Sequence, residues 1–365
     1  MNPWTGVPVG NGTSLCNAWR TRQFQRWRRF GYSTENSEPA LGYWVLNFEY
    51  FFTPPQKPFW PASPARSHTV NRQSSYHAGW VILAAMDAVK PKFRFAGQGR
   101  TGLLLLAVCW PLNWLLPGLR TAYLFFPLWL GYILVVDALV SSRAGSSLWS
   151  RQRRGFILLF CLSAPSWWLF EIINWRTGNW EYLGSGHFTP VEYYLLCSLS
   201  FSTVMPAVFE TAELARTFRW VGSIRPGIRI QNTPGLACGL LFTGLAMLSL
   251  TLFWPKYFYC LIWISLCLIL EPMNRALGRR HLLQWLQTGD WRPVISLSAG
   301  ALICGFFWEM WNYWSWPQWV YHTPGANYWH VFEMPLLGYG GYVPFALELF
   351  ALMNFLWPRP PELRL

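Results

Sequence analysis

Arg151–Tyr182, RQRRGFILLFCLSAPSWWLFEIINWRTGNWEY, and Arg292–Tyr321, RPVISLSAGALICGFFWEMWNYWSWPQWVY, decide the fold of this 365-residue chain. Each opens on arginine, runs through about twenty mostly apolar residues, reaches a Glu-x-x-Asn, and ends on a Trp-x-Tyr. An uninterrupted apolar run of ~20 residues is the length that a bilayer's hydrocarbon core requires of a helix. Composition agrees: 53% of residues are hydrophobic, 12% are charged, 26 are tryptophan, and the mean hydropathy is +0.18. A soluble domain carries roughly 25% charged residues. The fold class read here is therefore an all-α polytopic membrane protein.

Working outward, similar runs recur at about 102–119, 122–141, 156–175, 193–213, 235–254, 257–274, 294–313 and 334–357, which predicts eight spans. Their linkers orient them. With the first span leaving the cytoplasm, sixteen Lys and Arg fall on the cytoplasmic side, among them Arg143, Arg154, Arg216, Arg275 and Arg292. Only Arg120, Arg176 and Lys256 fall on the other. Such an excess in short loops is the positive-inside signature. It predicts an inner (cytoplasmic) membrane protein with both termini cytoplasmic, and it assigns the net charge of +13 to topology, with no nucleic-acid partner. The lipid bilayer is the partner that the composition requires.

Residues 1–85 differ from the rest. They interleave Arg20, Arg22, Arg26, Arg28 and Arg29 with aromatics, and their apolar patches are too short to span. They read as a disordered or interfacial tail, or as an upstream extension of a chain whose translation begins at Met86. Of the eight cysteines, seven lie in or beside spans without a CxxC pair, so they read as small apolar residues rather than as a disulfide or zinc framework.

The two quoted stretches belong to a longer repetition. Residues 102–213 align with 235–357, which divides the membrane region into two four-span repeats, 86–230 and 231–365, with Gly102 matching Gly235, Asp137 matching Glu271, and Glu171-x-x-Asn174 matching Glu309-x-x-Asn312. Trp180-x-Tyr182 matches Trp319-x-Tyr321, Glu192 matches Glu333, and Pro206-x-x-x-Glu210 matches Pro344-x-x-x-Glu348. An even number of spans per copy makes the repeats parallel, related by an axis along the membrane normal.

The acids carry the functional signal. Of 13 acidic residues beyond residue 85, nine sit in or at the ends of spans. A carboxylate at a helix centre costs ~2.5–3.5 kcal/mol on insertion scales and marks function by default. Glu171 and Glu309 each follow a cytoplasmic arginine by 17 residues, placing them about 25 Å away at 1.5 Å per residue. With Glu192, Glu333, Asn174 and Asn312 they are expected to converge in an outer layer. Asp137, Glu271, Glu210 and Glu348 form an inner one, where Asp137 and Glu271 are expected to pair with Arg143 and Arg275. Pro206 and Pro344 are expected to interrupt the helices beside Glu210 and Glu348. The catalytic candidates are thus Glu171, Glu309, Glu192, Glu333, Glu210 and Glu348. The ligand-binding candidates are Asn174, Asn312, Trp180, Tyr182, Trp319 and Tyr321, although a Trp-x-Tyr at a span end also suits an interfacial belt.

Trp180-Glu181-Tyr182 followed by Pro190-Val191-Glu192-Tyr193, repeated loosely as Trp319-Val320-Tyr321 followed by Glu333, resembles the small membrane-bound lycopene cyclases of the duplicated or heterodimeric type. In those enzymes a Trp-x-Tyr loop precedes a Pro-x-Glu-Glu motif in each half. Tyr193 and Met334 stand here where the second Glu would be. The resemblance implies a carotenoid or other isoprenoid lipid held between two pseudo-symmetric halves, near Glu192 and Glu333, and cofactor-free isomerase or cyclase chemistry. Independently, buried carboxyls among aromatics suit proton-initiated chemistry on a polyene, because ring faces stabilise a cation. Oxygen-only ligands such as Glu171, Asn174, Glu309 and Asn312 also suit a cation- or proton-coupled transporter handling Ca²⁺, Mg²⁺ or Mn²⁺. A non-catalytic scaffold or pigment-binding subunit is the third reading. No cofactor is predicted.

Overall fold

The computed structural model describes residues 95–365, so the readings of residues 1–85 and of a start at Met86 lie outside the described residues. The longer helices are α1 (Gly97–Leu115), α2 (Arg120–Ala144), α3 (Arg153–Thr177), α4 (Pro190–Phe201), α5 (Val204–Arg216), α6 (Pro234–Phe253), α7 (Ile262–Ala276), α8 (Arg292–Tyr313) and α9 (Tyr342–Leu356). Among the described residues, seven helical segments are long and apolar enough to cross a membrane: α2, α3, α4 with α5, α6, α7 entered from Pro255, α8, and α9 entered from Leu336. The protein is therefore mostly helical, with the span lengths and composition of a multi-pass membrane protein.

The expected eighth span is where sequence and structure part. Instead of 102–119, α1 covers Gly97–Leu115. It takes in Gln98 and Arg100 at its start and Asn113 near its end, which lowers its apolar character below that of the other seven. It stops where it does because Pro117 forces Leu116 into extended backbone, at ψ 145°, and Gly118 then turns with φ +81°.

Close helix contacts run through small residues. A Cβ on Gly102 would stand 2.6 Å from the Gly131 carbonyl oxygen, so only hydrogens at these positions let α1 lie against α2. Helix α6 approaches α7 at Gly244, whose Cβ would come within 2.8 Å of the Ser265 carbonyl oxygen. Gly235, matched to Gly102 by sequence, borders open space. The alignment slips here because small residues also recur along α6 where nothing approaches. The buried positions of α6 are Ala237, Gly244 and Thr251, spaced by seven and so on one stripe. Apolar side chains such as Phe242 and Leu245 are exposed, as on a helix that faces lipid.

The interior is made by α2, α5, α8 and α9, with Trp129, Phe209, Trp311, Phe345 and Phe350 almost completely buried. Gly300 of α8 rides on α5, its missing Cβ lying 2.7 Å from the Val208 carbonyl oxygen. The expected span 193–213 breaks between α4 and α5, and Ser163 of α3 fills the break. Its hydroxyl donates to the Phe201 carbonyl at 2.6 Å and accepts from the Met205 N–H at 3.0 Å. Two backbone groups orphaned by the break are thereby satisfied inside an apolar bundle, where leaving them bare is costly. The break precedes Pro206, which becomes the third residue of α5; Pro344 is likewise the third residue of α9. In a first turn a proline removes an N–H that has no intrahelical partner, so the interruption expected beside Glu210 and Glu348 falls just before each proline and the proline begins the next helix.

Candidate functional site

Helix α3 ends at Gly178, whose left-handed backbone, φ +62°, turns the chain into β1 (Trp180–Leu183). Helix α8 leads to β2 (Gln318–Tyr321), and the two strands pair antiparallel with Trp180 opposite Tyr321 and Tyr182 opposite Trp319. The two Trp-x-Tyr motifs are thus strand partners. Each strand is tied to its own helix by the expected asparagine. Asn174 donates to the Trp180 carbonyl at 2.8 Å and accepts from the N–H groups of Asn179 and Trp180. Asn312 donates to the Trp319 carbonyl at 2.7 Å and accepts from the Trp319 N–H at 2.9 Å. The three-residue spacing after each Glu does put carboxyl and amide on one face, but both amides are spent on the ribbon.

The carboxyls use the same ribbon. Glu171 Oε1 accepts from Tyr182 Oη at 2.6 Å, Trp167 Nε1 at 2.8 Å and Trp180 Nε1 at 3.1 Å. Glu309 Oε1 accepts from Tyr321 Oη and Tyr342 Oη, each at 2.7 Å, and Trp319 Nε1 donates to the Tyr321 oxygen at 2.9 Å. Burial, reinforced by the neighbouring carboxyl, pushes the Tyr182 and Tyr321 phenols well above their ordinary range, so both remain protonated donors. Glu309 Oε2, in a side chain with no exposed surface, has no hydrogen-bond partner among the described residues.

Between the ribbon and the helix ends lies a cavity of about 580 Å³. Trp167, Trp180, Trp263, Trp308, Trp319, Tyr321, Tyr342 and Phe345 contribute to its wall, and Glu309 is the one acidic residue among the described residues that line it. Its rings also pack on one another: Trp263 stacks on Trp180 and Trp308 on Tyr342, with centroids 6.0 Å apart in each pair. The Trp-x-Tyr side chains therefore form a cavity wall and a donor set for the acids, more than an interfacial belt.

The other candidates stand elsewhere. Glu192 turns back on Thr189 in a capping box, accepting from its N–H at 2.9 Å and its hydroxyl at 2.8 Å, and is exposed. Glu333 does not begin a helix; it occupies the turn between β3 (His330–Val331) and β4 (Met334–Pro335), close enough to Glu309 to act on it electrostatically. The six oxygen-bearing groups expected in one outer layer are thus divided among a cap, a hairpin turn and the ribbon.

In the inner layer the expected arginine pairs do not form. Asp137 accepts from Gln98 Nε2 at 3.0 Å and the Trp149 N–H at 3.1 Å, and Glu271 from the Leu282 N–H at 2.6 Å. Arg143 reaches Thr217 and Arg275 reaches Asn232 instead. The reason is burial: Asp137 and Glu271 are enclosed, where neutral amide donors reach them and the guanidinium groups of Arg143 and Arg275 do not. Glu348 accepts from the N–H groups of Leu266 and Cys267 on α7, and Glu210 faces Asp137.

Sequence reading missed Trp167, Trp263, Trp308, Phe345 and Tyr342. Trp167 stands four residues before Glu171, a helical neighbour spacing that could have found it. Tyr342 meets Glu309 only through the packing of α9 on α8, which leaves no trace in local sequence. Compared with protein-family models, with curated proteins and with solved structures, the chain matches none.

Proposed function

We propose that this protein holds an isoprenoid-like, largely apolar lipid in the aromatic cavity and that Glu309 is the acid-base group facing it. The observation that carries this reading is the state of the Glu309 carboxyl. Two phenols occupy Oε1, so the carboxyl is oriented, and Oε2 is left as the oxygen able to exchange a proton with a ligand. A concave, mostly apolar pocket with a few oriented polar groups is the usual form of a small-molecule site. Rings around a developing positive charge on a polyene would lower its energy.

The shared ribbon and the matched Glu–Tyr and Asn–backbone bonds support two parallel repeats that build the site jointly, with the basic helix ends cytoplasmic. Glu171, held by three donors, is assigned the orienting role in the first half, and Glu309 the reactive role in the second. The test is solvent extraction of protein purified from its native membrane, with mass spectrometry of the extract, followed by incubation of the reconstituted protein with the recovered lipid. The expected result is one co-purifying polyene or isoprenoid per chain whose conversion stops in Glu309→Gln. A protein that emerges without such a lipid, and that takes up no added polyene, overturns the proposal.

A second reading, passage of protons or cations, is favoured by one separate observation. Glu210 and Asp137 face each other completely buried, carboxyl against carboxyl, and among the described residues no N–H donates to Glu210. Proton or Ca²⁺ flux into proteoliposomes that is lost in Glu210→Gln and unaffected by Glu309→Gln would favour transport over lipid chemistry.

A further inference from the structure

We infer that the ligand of the aromatic cavity carries a positive charge at its polar end, a protonated amine or quaternary ammonium on an apolar chain. The inference rests on the reading of this cavity as a lipid site and adds the chemistry of the head group. Its wall supplies Glu309 and no Lys, Arg or His among the described residues. Oε2 of that carboxyl is buried without a hydrogen-bond donor among the described residues. A buried acceptor of this kind is costly to leave unmatched, and its complement is a donor or a cation. The same wall presents the rings of Trp263, Trp308, Trp319 and Tyr342, and ring faces attract cations and discriminate against anions.

The hydroxyls of Tyr321 and Tyr342 are already committed to Oε1. An anionic head would therefore find no free cation and would meet the carboxyl directly. An alcohol would satisfy Oε2 but gain nothing from the ring faces, whereas an ammonium uses both. The cavity thus selects charge with Glu309 and rings together, and holds the chain with the remaining apolar wall.

The test compares dodecyltrimethylammonium, dodecanol and dodecyl sulfate, each titrated into the full chain in an uncharged maltoside detergent and counted as bound adducts by native mass spectrometry. The expected result is at least tenfold tighter binding of the ammonium than of the other two, collapsing to within twofold in Glu309→Gln while dodecanol binding persists. Dodecanol binding as tightly as the ammonium, or the ammonium preference surviving in Glu309→Gln, overturns the charge inference and leaves the lipid site standing. If none of the three binds the wild-type protein, both readings fail. Should the variant not remain monodisperse, the wild-type order of the three probes decides alone.

Discussion

The Tyr321 hydroxyl donates to Glu309 Oε1 at 2.7 Å, and 139 residues earlier Tyr182 does the same to Glu171 at 2.6 Å. A tyrosine eleven or twelve residues after a glutamate reaches it because each helix is followed by a strand that folds back over the helix end.

Removing one such donor should therefore destabilise the helix end and its strand together. Tyr321→Phe removes one of the two phenols on Glu309 Oε1 together with the acceptor of Trp319 Nε1, and a hydrogen bond contributes roughly 0.5–1.5 kcal/mol. Tyr182→Phe should cost less, because Trp167 and Trp180 still donate to Glu171. Thermal unfolding of the two variants in detergent should rank Tyr321→Phe below Tyr182→Phe, and equal melting temperatures would contradict the assignment of donors.

Ser163 should be indispensable to the α4–α5 break. Ser163→Ala strips partners from the Phe201 carbonyl and the Met205 N–H at once, and each unsatisfied buried group costs about 1–3 kcal/mol. Hydrogen exchange read by mass spectrometry should show faster exchange confined to the peptides around Met205. A variant with wild-type melting and exchange would mean that the break is satisfied in another way.

The small-residue contacts predict opposite outcomes for two glycines. Gly300→Val would drive its Cβ into the Val208 carbonyl, and overpacking of this kind costs about 1–3 kcal/mol. Gly235→Ala meets nothing within 4 Å and lies in the first turn of α6, so it should leave melting unchanged or raise it slightly. Loss of folded protein for Gly235→Ala would restore the sequence-based pairing of Gly235 with Gly102.

His281 gives a pH dependence. Burial, helped by the charge of Arg275, lowers its affinity for a proton, so the folded state favours the neutral ring. The unfolded chain then binds more protons as pH falls below the ordinary histidine value of about 6.5, and stability declines from there until the folded ring also titrates. Melting temperature should fall between pH 7 and pH 5, and His281→Gln should flatten that slope; an identical slope in the variant would remove His281 as its source.

Much of this architecture is legible in residue order, because a bilayer imposes a length and an apolar composition on each span. Seven of the eight expected spans are recovered as helical segments long and apolar enough to cross, and the Glu-x-x-Asn face appears as read. Elsewhere local pattern misleads. The prolines at 206 and 344 mark interruptions, but they stand in the first turn of the helix that follows, not inside one. Asp137 and Glu271 look like partners of nearby arginines, and burial gives Asp137 the Gln98 amide and the Trp149 N–H, and Glu271 the Leu282 N–H, instead.

By itself the sequence determined the membrane class, most helix boundaries and the list of acids worth examining, all properties carried by periodicity and composition within some twenty residues. Only the tertiary structure decided which of those acids faces a cavity. Glu309 and Glu192 are equally plausible in sequence, yet one lies buried beneath Tyr321 and Tyr342 and the other caps an exposed helix. That distinction depends on the pairing of Trp180 with Tyr321 and on the packing of α9 on α8, contacts between residues far apart in the chain, whose geometry no local pattern encodes.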